Sequence, residues 1–176
     1  MLEIMKPEEF AQVYSLMEES FPIDEFRPFH EQKQLLQNKD YCIYVLHHPD
    51  TVRAFLAVWQ FDDFTYIEHF AVAPALRGLG TGSMILKEAA RIFKKQLCLE
   101  VELPQTDIAR RRIEFYKRNG FVLNSYPYMQ PPVSSGRKEI PLMIMTAKEA
   151  VSEERFENIK SALYRKVYRV YTKSAV

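Results

Sequence analysis

Three of the chain's five glycines lie in one window of six residues, Arg77-Gly78-Leu79-Gly80-Thr81-Gly82. Glycine loses more backbone entropy on folding than any other residue, so this concentration indicates unusual dihedral angles or the close approach of a ligand to the backbone. A strand-like run precedes the window, and a helix is predicted from about Thr81 to Lys95. The N-terminus of a helix offers unpaired N–H groups and the positive end of the helix dipole. The window therefore predicts a site for a phosphate or pyrophosphate.

Two common glycine-rich loops do not fit this window. A P-loop ends in Gly-Lys-Ser/Thr, whereas Gly82 is followed directly by Ser83. A dinucleotide fingerprint needs a glycine where Ser83 stands and a βαβ unit near the start of the fold, whereas three strands and two helices are predicted to come first. A purely structural turn stays open as an alternative, although a turn needs only one or two glycines.

The pattern of apolar residues predicts a mixed α/β (α+β) fold with about seven strands. Strand-like runs cover residues 2–5, 41–47, 52–61, 64–73, 97–103, 121–128 and 140–145. A helix separates the fourth and fifth strands, which predicts that these two are parallel, while short turns make the sheet mostly antiparallel. We expect one domain over residues 1–146, with residues 147–176 forming a C-terminal helical extension packed on it.

The helices are predicted from apolar residues at helical spacing. The first runs from Phe10 to Phe21 and the second lies near residues 31–37. Residues 22–30 between them either shape a pocket or simply connect the two helices. The inner face of the third helix is predicted to carry Ile85, Ala89, Ile92 and Phe93. The fourth helix is predicted to be capped by Thr106 or Asp107, to carry Ala109, Ile113 and Tyr116 on one face, and to end at Asn119-Gly120.

Composition limits the partners and the compartment. Lys and Arg number 24 against 23 Asp and Glu, and this net charge of +1 gives no reason to expect nucleic acid as a partner. Cys42 and Cys98 are isolated in apolar runs, which predicts free thiols, a reducing compartment and a cytoplasmic location. There is neither a leader pattern nor a run of about 18 apolar residues, so we expect no membrane association. Four scattered histidines predict no metal site.

The glycine window resembles the Arg/Gln-x-x-Gly-x-Gly/Ala signature of the GNAT superfamily of acyl-CoA N-acyltransferases. The preceding phrase, residues 69–74, is similar to the family's fourth strand. A second landmark, Phe115 to Phe121, resembles the aromatic-Tyr-x-x-x-Gly-Phe end of the family's fourth helix. The family often carries an Asn several residues before that tyrosine, where this chain has an arginine run, residues 110–112. The resemblance implies a GNAT-like sheet flanked by helices, with parallel and splayed fourth and fifth strands and a C-terminal helix.

The resemblance also implies a cosubstrate, acetyl-CoA, and the residues that hold it. The pyrophosphate would bind the backbone of Arg77 to Gly82, and the pantetheine arm would run along the main chain of Phe70, Ala71 and Val72. Tyr116 resembles the family's tyrosine whose hydroxyl reaches the coenzyme sulfur, so Tyr116 is the candidate general acid. The alternative for Tyr116 is a core aromatic residue.

Glu68 is the candidate base, because it resembles by position a residue that family members use to accept a proton. Strand alternation places Glu68 and His69 on opposite faces, and apolar neighbours are expected to raise the pKa of Glu68. His69 is the rival base, since an imidazole titrates near neutral pH, and a structurally paired Glu68 is a further alternative. On the fifth strand, Glu100 and Glu102 either form an acidic floor with Glu68 or pair with the arginines at 110–112.

These features predict an acetyl-CoA-dependent N-acetyltransferase that acts by direct attack in a ternary complex. The acceptor would be a primary amine of a small molecule or a peptide. The arginine run is either a solvated helix face or a contact for the coenzyme 3′-phosphate. A non-catalytic acyl-CoA sensor is the alternative function, and a nucleic-acid-associated factor is a weaker one. The aromatic end of the last helix, Tyr164, Tyr168 and Tyr171, either packs back onto its own sheet or forms the contact of a homodimer.

Overall fold

A computed structural model describes residues 1–170, so the predicted contribution of Tyr171 to the last helix lies outside the described residues. The chain divides into two compact units, Met1–Leu99 and Glu100–Val176. The strands form a seven-stranded sheet in which the first five strands follow their order in the chain and the seventh strand lies between the fifth and the sixth. Within the described residues, no helix is both long and apolar enough to cross a membrane.

The first unit contains most of the sheet and three helices. Its elements are β1 (Glu3–Ile4), α1 (Phe10–Ser20), α2 (Phe29–Gln34), β2 (Tyr41–His47), β3 (Val52–Gln60), β4 (Phe64–Val72), α3 (Thr81–Ile92) and the start of β5 (Gln96–Glu102). Antiparallel pairing joins β1 to β2, β2 to β3 and β3 to β4. Residues Phe64–Ile67 of β4 pair in parallel with Gln96–Leu99 of β5, which confirms the predicted fold class. That register ends at Ile67, although β4 continues to Val72.

Burial in this unit is greatest on β3, whose residues from Ala54 to Trp59 have no exposed surface. A strand covered on both faces reads as a continuous apolar run rather than an alternating one. On α3, Ile85 and Ala89 are fully buried and Phe93 nearly so, as predicted. Ile92 is 37% exposed, so its predicted inward position is wrong, because the helix ends there.

The second unit contains α4 (Asp107–Arg118), β6 (Phe121–Gln130), β7 (Ile140–Ala147) and α5 (Glu153–Lys166), besides the end of β5. Thr106 is the N-cap of α4 and accepts a hydrogen bond from the Ala109 N–H at 3.1 Å. Gly120 follows α4 with φ of +84°, the left-handed conformation predicted for it. These caps fix the length of the helix that carries Tyr116.

The last helix packs inside the second unit. The Phe156 ring of α5 lies 4.9 Å from that of Tyr126 on β6, measured between centroids. The Tyr164 hydroxyl donates to the Met129 carbonyl, and the Tyr168 hydroxyl lies 2.8 and 2.9 Å from the two carboxylate oxygens of Glu100. These two tyrosines therefore have partners in their own chain, and the homodimer stays a prediction.

Candidate functional site

The glycine window forms the turn between β4 and α3. Gly78 and Gly80 have φ of +76° and +81°, and Gly80 is the N-cap of the helix. A Cβ added at either position would meet no atom within 4 Å. Glycine is therefore required here by the backbone conformation and not by a lack of space. The Nε of Arg77 donates to the Val72 carbonyl at 2.8 Å, which ties the turn to the end of β4.

The first turn of α3 presents donors to the solvent. The first helical hydrogen bond runs from the Met84 N–H to the Gly80 carbonyl, at 3.0 Å. The N–H groups of Thr81, Gly82 and Ser83 precede that bond and have no partner among the described residues. Donors in this position, together with the helix dipole, suit a phosphate group.

A surface recess of about 470 Å³ begins at this turn and follows α3. It is lined by Gly80, Ser83, Met84, Lys87, Glu88 and Arg91. Lys87 and Arg91 are one helical turn apart and both exposed, so they add two positive charges beside the N–H donors. The sequence prediction did not include Lys87 and Arg91, although they follow Ser83 by four and eight residues and so lie on the same face of the predicted helix.

The end of β4 supplies the predicted main-chain contacts. Phe70 and Val72 are half-buried and pack against the apolar cluster of Leu2, Ala54 and Ile85, while Ala71 is buried. On one side this segment pairs with β3, where Ala71 lies opposite Phe55. The register with β5 has ended by then.

Glu68 is held in a buried ion pair. Its Oε1 lies 2.6 Å from Nη1 of Arg27, and its Oε2 accepts a hydrogen bond from Nε1 of Trp59 at 2.8 Å. Both charged side chains are nearly inaccessible, at 3% and 6% exposure. Burial acts to raise the pKa of Glu68, but the Arg27 charge and the hydrogen bonds outweigh it and lower the pKa below its usual value. The predicted upward shift of this pKa is wrong, because the sequence does not reveal Arg27 as the partner.

A β-bulge places Glu68 and His69 on the same side of β4. Ala57 of β3 pairs with His69 and Val58 pairs with Ile67, so Glu68 is the extra residue. The His69 Nε2 lies 2.8 Å from the Glu25 carbonyl, in the segment that also carries Arg27. The predicted alternation of the two side chains is therefore wrong, because a bulge interrupts the period of two.

The other ring nitrogen of His69 is unusual. Nδ1 is buried and has no hydrogen-bond partner among the described residues, and it lies 3.9 Å from the Glu68 Oε2. The Phe21 ring contacts the imidazole edge-on, with 5.0 Å between centroids. Burial lowers the pKa of His69 more than the neighbouring Glu68 raises it, so the ring is held neutral.

Tyr116 lies on the buried face of α4 with Ala109 and Ile113, as predicted. Its ring contacts those of Phe115 and Phe121. Burial raises the pKa of Tyr116 to about 12, although Arg112 acts in the opposite direction. The hydroxyl is therefore protonated near neutral pH, and it forms no hydrogen bond to a described residue. Its predicted role as an acid stays a prediction.

The two carboxylates of β5 have partners in the second unit. Glu102 pairs with Nη1 of Arg112 at 2.8 Å, which was one of the two predicted arrangements. Glu100 instead accepts hydrogen bonds from the hydroxyls of Tyr128 and Tyr168. Across residues 1–170, no group of three or more His, Cys, Asp or Glu side chains is placed to hold a metal ion.

Comparison with known proteins gives one family. The model of the acetyltransferase (GNAT) family matches residues 10–121. A putative GNAT-family acetyltransferase from Bacteroides thetaiotaomicron is 31% identical, with a TM-score of 0.87, over 97% of this chain and 99% of its own. The search of curated proteins found no match.

Two further solved structures share the fold at lower identity. The ribosomal-protein-S18-alanine N-acetyltransferase from Escherichia coli is 17% identical, with a TM-score of 0.62, and the match covers 87% of this chain and 96% of that one. A spermidine N-acetyltransferase variant from Vibrio cholerae is 13% identical, with a TM-score of 0.61, over 84% and 94% of the two chains.

Proposed function

Because the chain belongs to the GNAT family and is an acetyltransferase, we propose that it transfers an acetyl group from acetyl-CoA to a primary amine in a ternary complex. The observation that carries this proposal is the turn at Gly78 and Gly80, whose left-handed glycines precede the unpaired N–H groups of Thr81, Gly82 and Ser83. Such donors suit the pyrophosphate of a coenzyme. The whole window from Arg77, including Leu79, would form this cradle.

The pantetheine arm would follow β4 beyond the end of its pairing with β5. Phe70, Ala71 and Val72 would contribute main-chain groups there, as the family resemblance implies. Lys87 and Arg91 extend the positive surface along α3 and would face the phosphates or the solvent near them. Because these contacts involve only parts common to all acyl-CoA molecules, they leave the choice of acceptor to other residues.

Acetyl-CoA supplies an activated acetyl group, and its transfer requires that the amine lose a proton and the departing sulfur gain one. We assign the second of these steps to Tyr116, whose hydroxyl is protonated near neutral pH. Glu68 and His69 are the two candidates for the first step. The acceptor is proposed only as an amine of a small molecule or peptide, since the names of the structural relatives specify both spermidine and a ribosomal-protein alanine.

Calorimetry with acetyl-CoA tests the cradle directly. We expect Gly80→Asp to weaken binding by at least about tenfold, since it adds a negative charge and a strained dihedral where the pyrophosphate would lie. Gly136→Asp is the matched control, because Gly136 has φ of +79° and the same open surroundings but lies in the loop between β6 and β7. Equal affinity in the wild type and both variants would refute the cradle.

Turnover distinguishes an enzyme from an acyl-CoA sensor. Release of the coenzyme thiol is measured with a panel of polyamines, amino acids and peptides with free N-termini. We expect thiol release with at least one class of amine. Tight binding of acetyl-CoA without release for any amine would favour the sensor.

A further inference from the structure

We propose that His69 is the proton acceptor of this reaction and that Glu68 is a positioning residue that orients and stabilises it. The inference rests on the proposed acetyl transfer and assigns its missing base. It starts from a buried ring nitrogen that lacks a partner among the described residues, Nδ1 of His69.

The hydrogen bond to Glu25 fixes which nitrogen of His69 can accept a proton. A carbonyl oxygen only accepts hydrogen bonds, so Nε2 must carry the hydrogen that it donates to Glu25. In a neutral ring, Nδ1 then keeps its lone pair and is a base. The segment that supplies this carbonyl therefore sets the tautomer that catalysis requires.

Glu68 is poorly suited to accept the proton itself. Each of its carboxylate oxygens already has a donor, Arg27 on Oε1 and Trp59 on Oε2. Protonation of Glu68 would leave the buried guanidinium of Arg27 without its counter-charge. In its ionised state, however, Glu68 lies 3.9 Å from Nδ1 and stabilises the imidazolium that forms there.

The charged and titratable groups around His69 come from several elements. Glu68 lies beside it on β4, and Arg27 reaches the same carboxylate from the segment between α1 and α2. Glu25 faces the ring through its backbone carbonyl. Tyr14 of α1 donates to the Arg27 carbonyl, and Tyr41 of β2 faces the Glu68 charge. Among these, only Glu68 favours the protonated ring through its negative charge.

Access to Nδ1 requires a water molecule. His69 is only 2% exposed, and a base can act through one intervening water. The Ser20 hydroxyl is a second buried polar atom without a partner among the described residues, and it directly precedes Phe21, whose ring contacts His69. A buried polar atom without a partner in the described part of the chain, such as Nδ1 of His69, is the kind of group to which a buried water binds.

The proton balance of the step is simple. The amine nitrogen forms a bond to the acetyl carbon and loses one proton, which passes through the water to Nδ1 of His69. The carbon–sulfur bond breaks, and the sulfur takes the proton of Tyr116. Exchange with solvent then returns both side chains to their starting states.

The test compares the pH dependence of kcat/KM in two variants. We expect His69→Gln to lower kcat/KM by about 100-fold to 10,000-fold and to abolish the acidic limb of the profile. Glu68→Gln should keep that limb but move it to lower pH, because the ring loses the negative charge that favours its protonation. If Glu68 were the base, the two results would be exchanged, and that outcome would overturn the proposal.

Controls separate this inference from the proposed function and from misfolding. His47→Gln is the matched control, since His47 also contacts a carboxylate, Glu9, at 2.7 Å, and it should leave the profile unchanged. If Glu68→Gln does not fold, the double variant Arg27→Met/Glu68→Gln replaces it. A wild type that releases no thiol with any amine ends both proposals. An active wild type whose acidic limb survives His69→Gln refutes only this one.

Discussion

The buried ion pair between Arg27 and Glu68 makes a quantitative prediction about stability. Removing one member of such a pair leaves an uncompensated buried charge, which costs about 3–5 kcal/mol. Both side chains here are at most 6% exposed, so solvent does not screen the loss. We therefore expect Arg27→Met and Glu68→Gln each to lower the free energy of unfolding by about 3–5 kcal/mol.

The double variant should cost much less than the sum of the two single variants. With Arg27 replaced by Met and Glu68 by Gln, no buried charge remains, and the new amide oxygen can still accept the hydrogen bond from Trp59. The remaining loss is of the order of one or two hydrogen bonds, about 1–3 kcal/mol. Urea unfolding of the wild type and the three variants at pH 7 measures this coupling. This prediction would be refuted if the losses in the free energy of unfolding were additive in the double variant, or if each single variant lost less than about 1 kcal/mol.

The same pair predicts how stability depends on pH. The pKa of Glu68 is lower in the folded protein than in the unfolded chain, so its contribution is fully present above about pH 4.3, the ordinary value for a glutamate. That contribution is lost as the pH falls through the lowered pKa of the folded state. The stability difference between the wild type and Glu68→Gln should therefore shrink on acidification. A difference that is constant from pH 7 to pH 3 would contradict the ion pair.

Two further predictions concern the second unit. Tyr116→Phe should lower kcat by about 100-fold and leave the affinity for acetyl-CoA, measured by calorimetry, unchanged, because only the proton donor is removed. Full activity of this variant would show that Tyr116 is a core aromatic residue and not the acid. Tyr168→Phe should lower the free energy of unfolding by about 1.5 kcal/mol, because its hydroxyl donates to the charged Glu100. Unchanged urea unfolding would show that this hydrogen bond does not stabilise the fold.

Local signals were sufficient to predict most of the fold. Thr106 caps α4 as its side-chain chemistry requires, and Gly120 adopts the left-handed conformation that ends the helix. The parallel pairing of β4 with β5 followed from the helix between them. In each case the decisive interaction is made between residues close in sequence, or is imposed by the connection itself. The pattern of one sequence is enough for such features.

The chemistry near β4 depends on interactions that sequence patterns do not contain. Arg27 and Glu68 are 41 residues apart, and no local pattern identifies them as partners. The bulge at Glu68 adds one residue to β4, which shifts the alternation that the sequence interpretation relied on. Both errors concern the two candidates for the base. They favoured Glu68 as a carboxylate that faces a pocket over the alternative of a structurally paired Glu68, and they placed His69 on the opposite face.

The bulge also explains why two consecutive ionisable side chains lie close together. In a regular strand, consecutive side chains point to opposite faces, so the side chains of Glu68 and His69 would be separated by the sheet. On the same side of β4, the charge of each side chain affects the pKa of the other. Both carboxylate oxygens of Glu68 accept hydrogen bonds, from Arg27 and Trp59, whereas His69 makes a hydrogen bond only through Nε2, to the Glu25 carbonyl. In the proposed reaction, the hydrogen bonds that these two side chains already make therefore favour His69 over Glu68 as the proton acceptor.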